Sequence, residues 1–309
     1  MVDRSTRTPT AEGRLGPVGL HRVLEQVSPA RPRSWRHMPV RGRVALVWIL
    51  ILIVVAIFAT ELAPYGPNQP QTGPLNWPPT LAHLFGTDSF GRDVFSRVLV
   101  GSRISITVAL LGPLAPAIIG SAIGAAAALG SKATDEVLMR LMDIQFAFPA
   151  IVLALVLATV IGPSLSTTLF VMALVYTPIM ARFVRASVRA QYAEDYAIVA
   201  RASGASRFYI LRRHLAPNIL SAMLVFFSLV AADAVLLEAA LSFLGSGVQP
   251  PTPTWGNLLQ EGSQEMLAGN WWLTLFPGLA IFSLVLALNT LSEAIADRLG
   301  GGEHTLGEG

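Results

Sequence analysis

Residues 189–218 read RAQYAEDYAIVARASGASRFYILRRHLAPN, a basic stretch rich in small residues between two long apolar segments. Over 191–202 the small or apolar residues Tyr192, Tyr196, Val199 and Ala200 recur at helical spacing. Ser203-Gly204-Ala205 interrupts that period, and Gly204 is the residue free to take the positive φ of a tight turn. Ser206 is placed to cap a second short helix through its hydroxyl. That helix, 207–215, would turn Phe208, Leu211 and Leu215 to one side and leave Arg207, Arg212 and Arg213 in water or near lipid phosphate. Pro217 suits the first turn of the next helix, where its missing N–H is not needed. The expectation is a compact helix–turn–helix knob. Ala200, Ala202, Ser203, Gly204, Ala205 and Ser206 surround a bend that another backbone can approach. Spacing alone leaves a second reading open, an ordinary basic loop on the inner face of a membrane.

The rest of the chain decides where such a knob would sit. Of 309 residues, 53% are hydrophobic and only 13% charged, against about a quarter charged in soluble domains. That composition predicts an integral membrane protein, and the chain's long apolar runs make it an all-α one. There is no cysteine, which excludes disulfides and thiolate metal sites. The five histidines have no metal-ligand spacing, and neither H-E-x-x-H nor G-x-S-x-G occurs, so no membrane enzyme is expected. Gly130-Ser131-Lys132 lacks P-loop spacing and a preceding strand, and Gly86…Gly91 also follows no strand, so the chain has no nucleotide site of its own.

Six transmembrane helices are expected. The first is the run VALVWILILIVVAIFAT within 44–62, longer than a signal-peptide core and too far from the N-terminus to be one. Residues 63–103 form an external segment. Its first half is held extended by prolines. In its second half Phe90, Val94, Phe95, Val98 and Leu99 share one face of an external amphipathic helix capped by Thr87 or Asp88. Residues 104–291 form the core, with spans at 104–129, 137–161, 165–184, 219–241 and 272–291. Gly120-x-x-x-Gly124 predicts close helix packing, Pro178 a kink that opens a cavity side, and Trp271 and Trp272 an interfacial belt. Residues 242–270, rich in Pro and Gly, read as a folded external loop. The tails 1–43 and 292–309 complete the chain. The first is disordered in expectation. It carries no aromatics interleaved with its arginines beyond Trp35, so attraction to membrane lipid explains it better than nucleic acid.

Orientation follows from the basic residues. Nine arginines fall in 1–43, two basic residues in 130–140 and seven in 182–213. With Arg298 these make nineteen of the twenty-two, and Arg92, Arg97 and Arg103 are the other three. The bias places both termini and the 189–218 knob in the cytoplasm. Within the spans, Asp233 is the carboxylate most suited to line a translocation path. Glu238 and Asp143 read better as a hydrogen-bonding or boundary position.

The stretch A-R-A-S-G-A-S, followed after nine residues by Pro217, resembles the "EAA" loop of ABC importer permeases, which docks into the cytoplasmic ATPase. Gly204 fits its glycine and Pro217 its final proline. Val199 and Ala200 stand where its two alanines stand, while Ile198, His214 and Ala216 replace its glutamate, isoleucine and leucine. Gly86, Thr87, Asp88, Gly91, Arg92, Asp93, Ser96 and Arg97 resemble the G-T-D-x-x-G-R-D-x-x-S-R signature of the C-type permease of dipeptide and oligopeptide importers. From Glu238, the series Ser242, Phe243, Gly245, Gly247, Pro250, Pro251, Pro253, Trp255 and Gly256 resembles that branch's second signature. The resemblance covers about 84–298. It implies a type I ABC importer permease fold in a bacterial inner membrane. It further implies a second homologous permease, two ATPase subunits or domains that carry ATP and magnesium, and an external substrate-binding protein. The implied cargo is a dipeptide, an oligopeptide, nickel or a similar solute. A different class, a proton-coupled secondary transporter using Asp233, would carry an internal inverted repeat, and none is visible. A structural scaffold would leave both external signatures without a use.

Overall fold

The computed structural model describes residues 39–300. The expected tails lie outside the described residues up to 38 and from 301 onward. Helix α1, Val40–Ile57, starts ahead of the apolar run because Gly42 and Arg43 donate to Pro39 O at 3.0 and 3.2 Å and close a first turn. Arg41 in that turn pairs with Asp297 and Glu293 near the other end of the described chain. A short α2, Ala59–Leu62, follows.

Residues 63–93 form no regular helix, so the helix expected to include Phe90 starts at Val94 and is continuous with the next span. Gly86 and Gly91 have φ of +75° and +70°, values a helix cannot contain. Asp88 does not cap a helix because its Oδ1 accepts from Phe90 N and Arg92 N, both at 2.9 Å. Asp93 is the cap instead, accepting from Ser96 N at 2.8 Å. Helix α3, Val94–Leu111, therefore begins at the signature and runs through Gly112-Pro113 into α4, Leu114–Leu129, as one 36-residue span. At about 1.5 Å per residue this exceeds a hydrocarbon core of about 30 Å, so one end projects from it.

The span expected over 137–161 is also different. Helices α5, Lys132–Phe146, and α6, Ala150–Ile161, meet at 81°. Pro149 lies at the break, and a proline biases the residue before it away from helical geometry. Helix α7, Leu165–Tyr192, starts at the Ser164 cap and carries Pro178 without interruption. The missing N–H of Pro178 leaves Leu174 O without its helical donor, and Gln145 Nε2 of α5 donates to that oxygen at 2.6 Å. Helix α4 packs on α7 backbone to backbone. A Cβ on Gly120 would lie 2.7 Å from Met180 Cβ, and one on Gly124 would lie 2.4 Å from Ala181 O, the close approach that small residues allow in lipid.

After the knob come α10, Ala216–Phe243, then α11, Trp255–Glu265, a short 3-10 turn at Met266–Ala268, and α12, Trp272–Gly300. A capping box starts α11: Asn257 N donates to Thr254 Oγ1 at 3.1 Å and Thr254 N to Asn257 Oδ1 at 2.8 Å. Among the described residues five helical runs are long and apolar enough to cross a membrane, six with the bent α5–α6 pair. The only β pairing among them is the isolated bridge Thr87–Asp93. The fold is the expected all-α one. One apolar core gathers α1, α3, α10, α11 and α12 around Trp255, Trp272 and Leu284. A second gathers α7, the knob and α10 around Met172, Met180, Ile210 and Leu241.

Candidate functional site

The knob is built from α8, Asp195–Ala202, and α9, Arg207–Ile210. At the bend Gly204 has φ +83°. Ala205 N donates to Ala200 O at 3.1 Å and Gly204 N to Arg201 O at 2.9 Å, the two bonds of a Schellman turn. Ser206 then caps α9, accepting from Tyr209 N at 3.2 Å. A π-helical turn, Leu211–Leu215, joins α9 to α10, with Pro217 in the first turn of α10. The wider turn accommodates a proline within a continuous helical run.

Tertiary bonds pin this turn from inside. Arg207 Nη1 donates to Leu129 O at 2.5 Å, Asn218 Nδ2 to Tyr196 Oη at 3.3 Å and Tyr196 Oη to Gln191 Oε1 at 2.6 Å. Ala197, Ile210 and Leu215 are buried. Phe208 and Val199, expected on the inward face, instead point out, 70% and 64% exposed. The Schellman turn fixes the phase of α9 so that Ile210, two residues on, takes the inward position. Ile198 and Tyr209 are exposed as well, and so are Ala202, Ser203, Gly204, Ser206 and Pro217. Ala200 and Ala205 are half-buried where their contact closes the turn.

The other end is organised by buried charge. Arg97, 2% exposed, places Nη1 2.7 Å from Asp88 Oδ2 and 2.5 Å from Glu261 Oε2. Arg92 joins them at 2.7 Å to Asp88 and 3.1 Å to Glu261. His83 Nδ1 lies 2.9 Å from Asp93 Oδ1. Thr87 accepts from Trp77 N at 2.9 Å and donates to Pro74 O. A Cβ on Gly86 would lie 2.5 Å from Trp77 O, and one on Gly91 2.6 Å from Gly73 O. Trp255 Nε1 donates to Val98 O at 2.9 Å, and Gly256 sits where a Cβ would be 2.7 Å from Ala239 O. The two external signatures, far apart in sequence, thus meet across α3, α10 and α11. Glu261 was missed by sequence reasoning. Arg92 and Arg97 have Asp88 and Asp93 beside them in the sequence, so nothing local pointed to a third acid.

Residues 117–301 match the family described as binding-protein-dependent transport system inner membrane component. The chain belongs to this family. It is 41% identical over 257 residues, 83% of this chain and 86% of the other, to a protein of Brucella suis biovar 1 (strain 1330) named as a peptide transport system permease. It is 40% identical over 256 residues, 82% of this chain and 84% of the other, to the glutathione transport system permease protein GsiD of Escherichia coli O6:K15:H31. A solved structure of the MetNI methionine ABC transporter in inward-facing conformations shares the fold. The TM-score is 0.52 at 15% identity, covering 64% of this chain and 96% of that one. The protein is thus an ABC importer permease, a multi-pass inner-membrane transport component and not an enzyme. Membership does not favour the proton-coupled alternative.

In this permease Asp233 stands on an exposed part of α10, with Leu229 and Leu236 exposed on either side. Glu238 is wholly buried one turn further on and accepts from Ser242 Oγ at 2.7 Å. Asp143 pairs with Arg182 at 2.8 Å. The knob and the external signatures are therefore separate sites. Among the described residues no cluster of His, Asp and Glu could hold a metal.

Proposed function

We propose that this permease forms the translocation path of an ATP-driven importer together with a second homologous permease. The 189–218 knob docks into one of two ATPase subunits, which hold ATP and magnesium, and an external substrate-binding protein delivers the cargo. Both termini face the cytoplasm, as the basic-residue bias requires. The observation that carries this reading is the pairing of rigidity with exposure at the bend. Ile198, Val199, Phe208 and Tyr209 present apolar side chains to the outside of a turn whose interior is fully bonded. Exposed apolar groups on a fixed scaffold suit a protein partner. Closure of the ATPases would push on the knob and tilt α7 and α10, which lead into and out of it, alternating access to a path that Asp233 lines. Short peptides are the cargo class that the named relatives support, since glutathione is itself a short peptide.

The first test is a gentle-detergent pulldown on a C-terminal tag, with mass spectrometry of the retained proteins. Recovery of a second permease and a Walker-A ATPase is expected. Gly204→Asp should weaken the ATPase and uncouple uptake, while Gly204→Asn, which tolerates the same backbone conformation, should retain both. Recovery of this chain alone, or normal coupling in Gly204→Asp, overturns the docking. Asp233→Asn is expected to lower uptake modestly. Abolished uptake together with loss of its pH dependence would return the proton-coupled reading.

A further inference from the structure

The exposed side of α12 does not stop where the helix stops. Trp271, Leu275, Leu279, Phe282 and Leu286 are exposed and recur at three- and four-residue steps as one apolar stripe. Its first charges are Glu293 and Asp297, both engaged by Arg41. Trp271 and Glu293 are about 33 Å apart at about 1.5 Å per residue, close to the thickness of a hydrocarbon core of about 30 Å. The hydrocarbon boundary therefore falls at Trp271, and whatever lies one turn beyond it meets the headgroup region.

Two leucine-bearing turns lie there. Leu267, in the 3-10 turn that leads into α12, is fully exposed. Its turn is rigid: Gly269 has φ +90° and donates to Met266 O at 3.0 Å, while Asn270 donates through N and Nδ2 to Glu265 O and Oε2. Leu81, also almost fully exposed, tips the second turn. Thr80 N donates to His83 O at 2.9 Å and His83 N to Thr80 Oγ1 at 3.1 Å. Phe85 docks this turn on α12 by stacking on Phe276 at 3.8 Å. Trp77, exposed between the turns, is held by its neighbour Asn76, whose Nδ2 donates to Glu265 Oε2 at 3.3 Å. The side chains of Thr80, His83, Asn270 and Glu265 are bonded within the protein, and those left outside are mostly apolar, among them Leu81, Leu84, Met266, Leu267 and Trp77. An indole with an apolar body and one N–H favours the membrane–water interface over either phase.

We propose that the Leu81 and Leu267 turns form a two-pronged lipid anchor. They seat residues 63–93 and α11 on the interfacial layer of the bilayer beside α12. The occupant is lipid at the acyl–headgroup boundary, because the two turns adjoin the end of an exposed apolar stripe of membrane-spanning length. The proposal is independent of which solute the permease carries.

The absence of native cysteine gives a direct test. Leu81→Cys, Leu267→Cys and, as a reference on the exposed part of α11, Ser263→Cys are each labelled with an environment-sensitive fluorophore. Each is then reconstituted with its partner subunits in phosphatidylcholine–phosphatidylglycerol vesicles. Emission at 81 and 267 should be lost to a lipid carrying a shallow nitroxide and spared by aqueous iodide, with the reverse at 263. Iodide quenching at 81 and 267 equal to that at 263 overturns the proposal, as does shielding from both quenchers, the mark of a protein cover. One prong in lipid and the other in water overturns the two-pronged form.

Discussion

The signature end and the knob use the same ingredients, glycines at positive φ and clustered arginines, to opposite ends. At Gly86 and Gly91 an added Cβ would lie 2.5 and 2.6 Å from a carbonyl oxygen, whereas at Gly204 it would meet nothing within 4 Å. Arg97 is buried between two carboxylates of its own chain, while Arg212 and Arg213 of the knob stay exposed. The contrast teaches what each region is for. One region pairs its charges within the chain and sets a shape, and the other closes its turn but leaves an apolar outer face exposed.

The sharpest way to break that contrast is at Arg97. Arg97→Met leaves Asp88 and Glu261 with Arg92 as their remaining shared cation, and removal of one partner from a buried pair costs up to about 3–5 kcal/mol. Thermal unfolding in detergent, followed by tryptophan emission, should show a large drop in midpoint. An unchanged midpoint would mean the cluster is ornamental.

Next in size is a pair of matched substitutions. Gly86→Ala and Gly204→Ala both force an L-residue into left-handed geometry, at about 1–2 kcal/mol each. Only the first adds a backbone clash, so its midpoint should fall further, and equal falls would remove the distinction between crowded and open turns. The smallest effect on stability is expected from Val199→Ser with Phe208→Ser, within about 0.5 kcal/mol, since exposed positions away from bonded features tolerate change. The same variant should lose most of the ATPase stimulation that cargo-loaded binding protein provokes. Full stimulation would show that these side chains contact nothing.

Local chemistry made much of this legible. The cap at Ser206, the left-handed Gly204 and the glycine contact between α4 and α7 follow from residues a few positions apart. Three features were not legible, for different reasons. The break at Pro149 lies inside an unbroken apolar run, where hydropathy outweighs a single proline. The inward choice of Ile210 over Phe208 depends on the phase set by a turn, and apolar spacing fits both. Glu261 reaches Arg97 across 164 positions, a distance at which one sequence carries no pairing information. The external helix was expected to start at Thr87 or Asp88, either of which can cap a helix. The bonds that Asp88 makes to Arg92 and Arg97 commit it elsewhere.

The helical run from Arg207 to Phe243 counts as a single span, about 55 Å long at about 1.5 Å per residue. The knob and the Ser242–Gly247 corner are therefore opposite ends of one rod, held along its length against α7 by the stack of Phe226 on Phe183 at 4.4 Å. A rod needs no relay of side chains to carry a displacement. Its gearing is set by where along its length it is gripped, so a change that moves the grip should alter the stroke at the far end while leaving both ends intact.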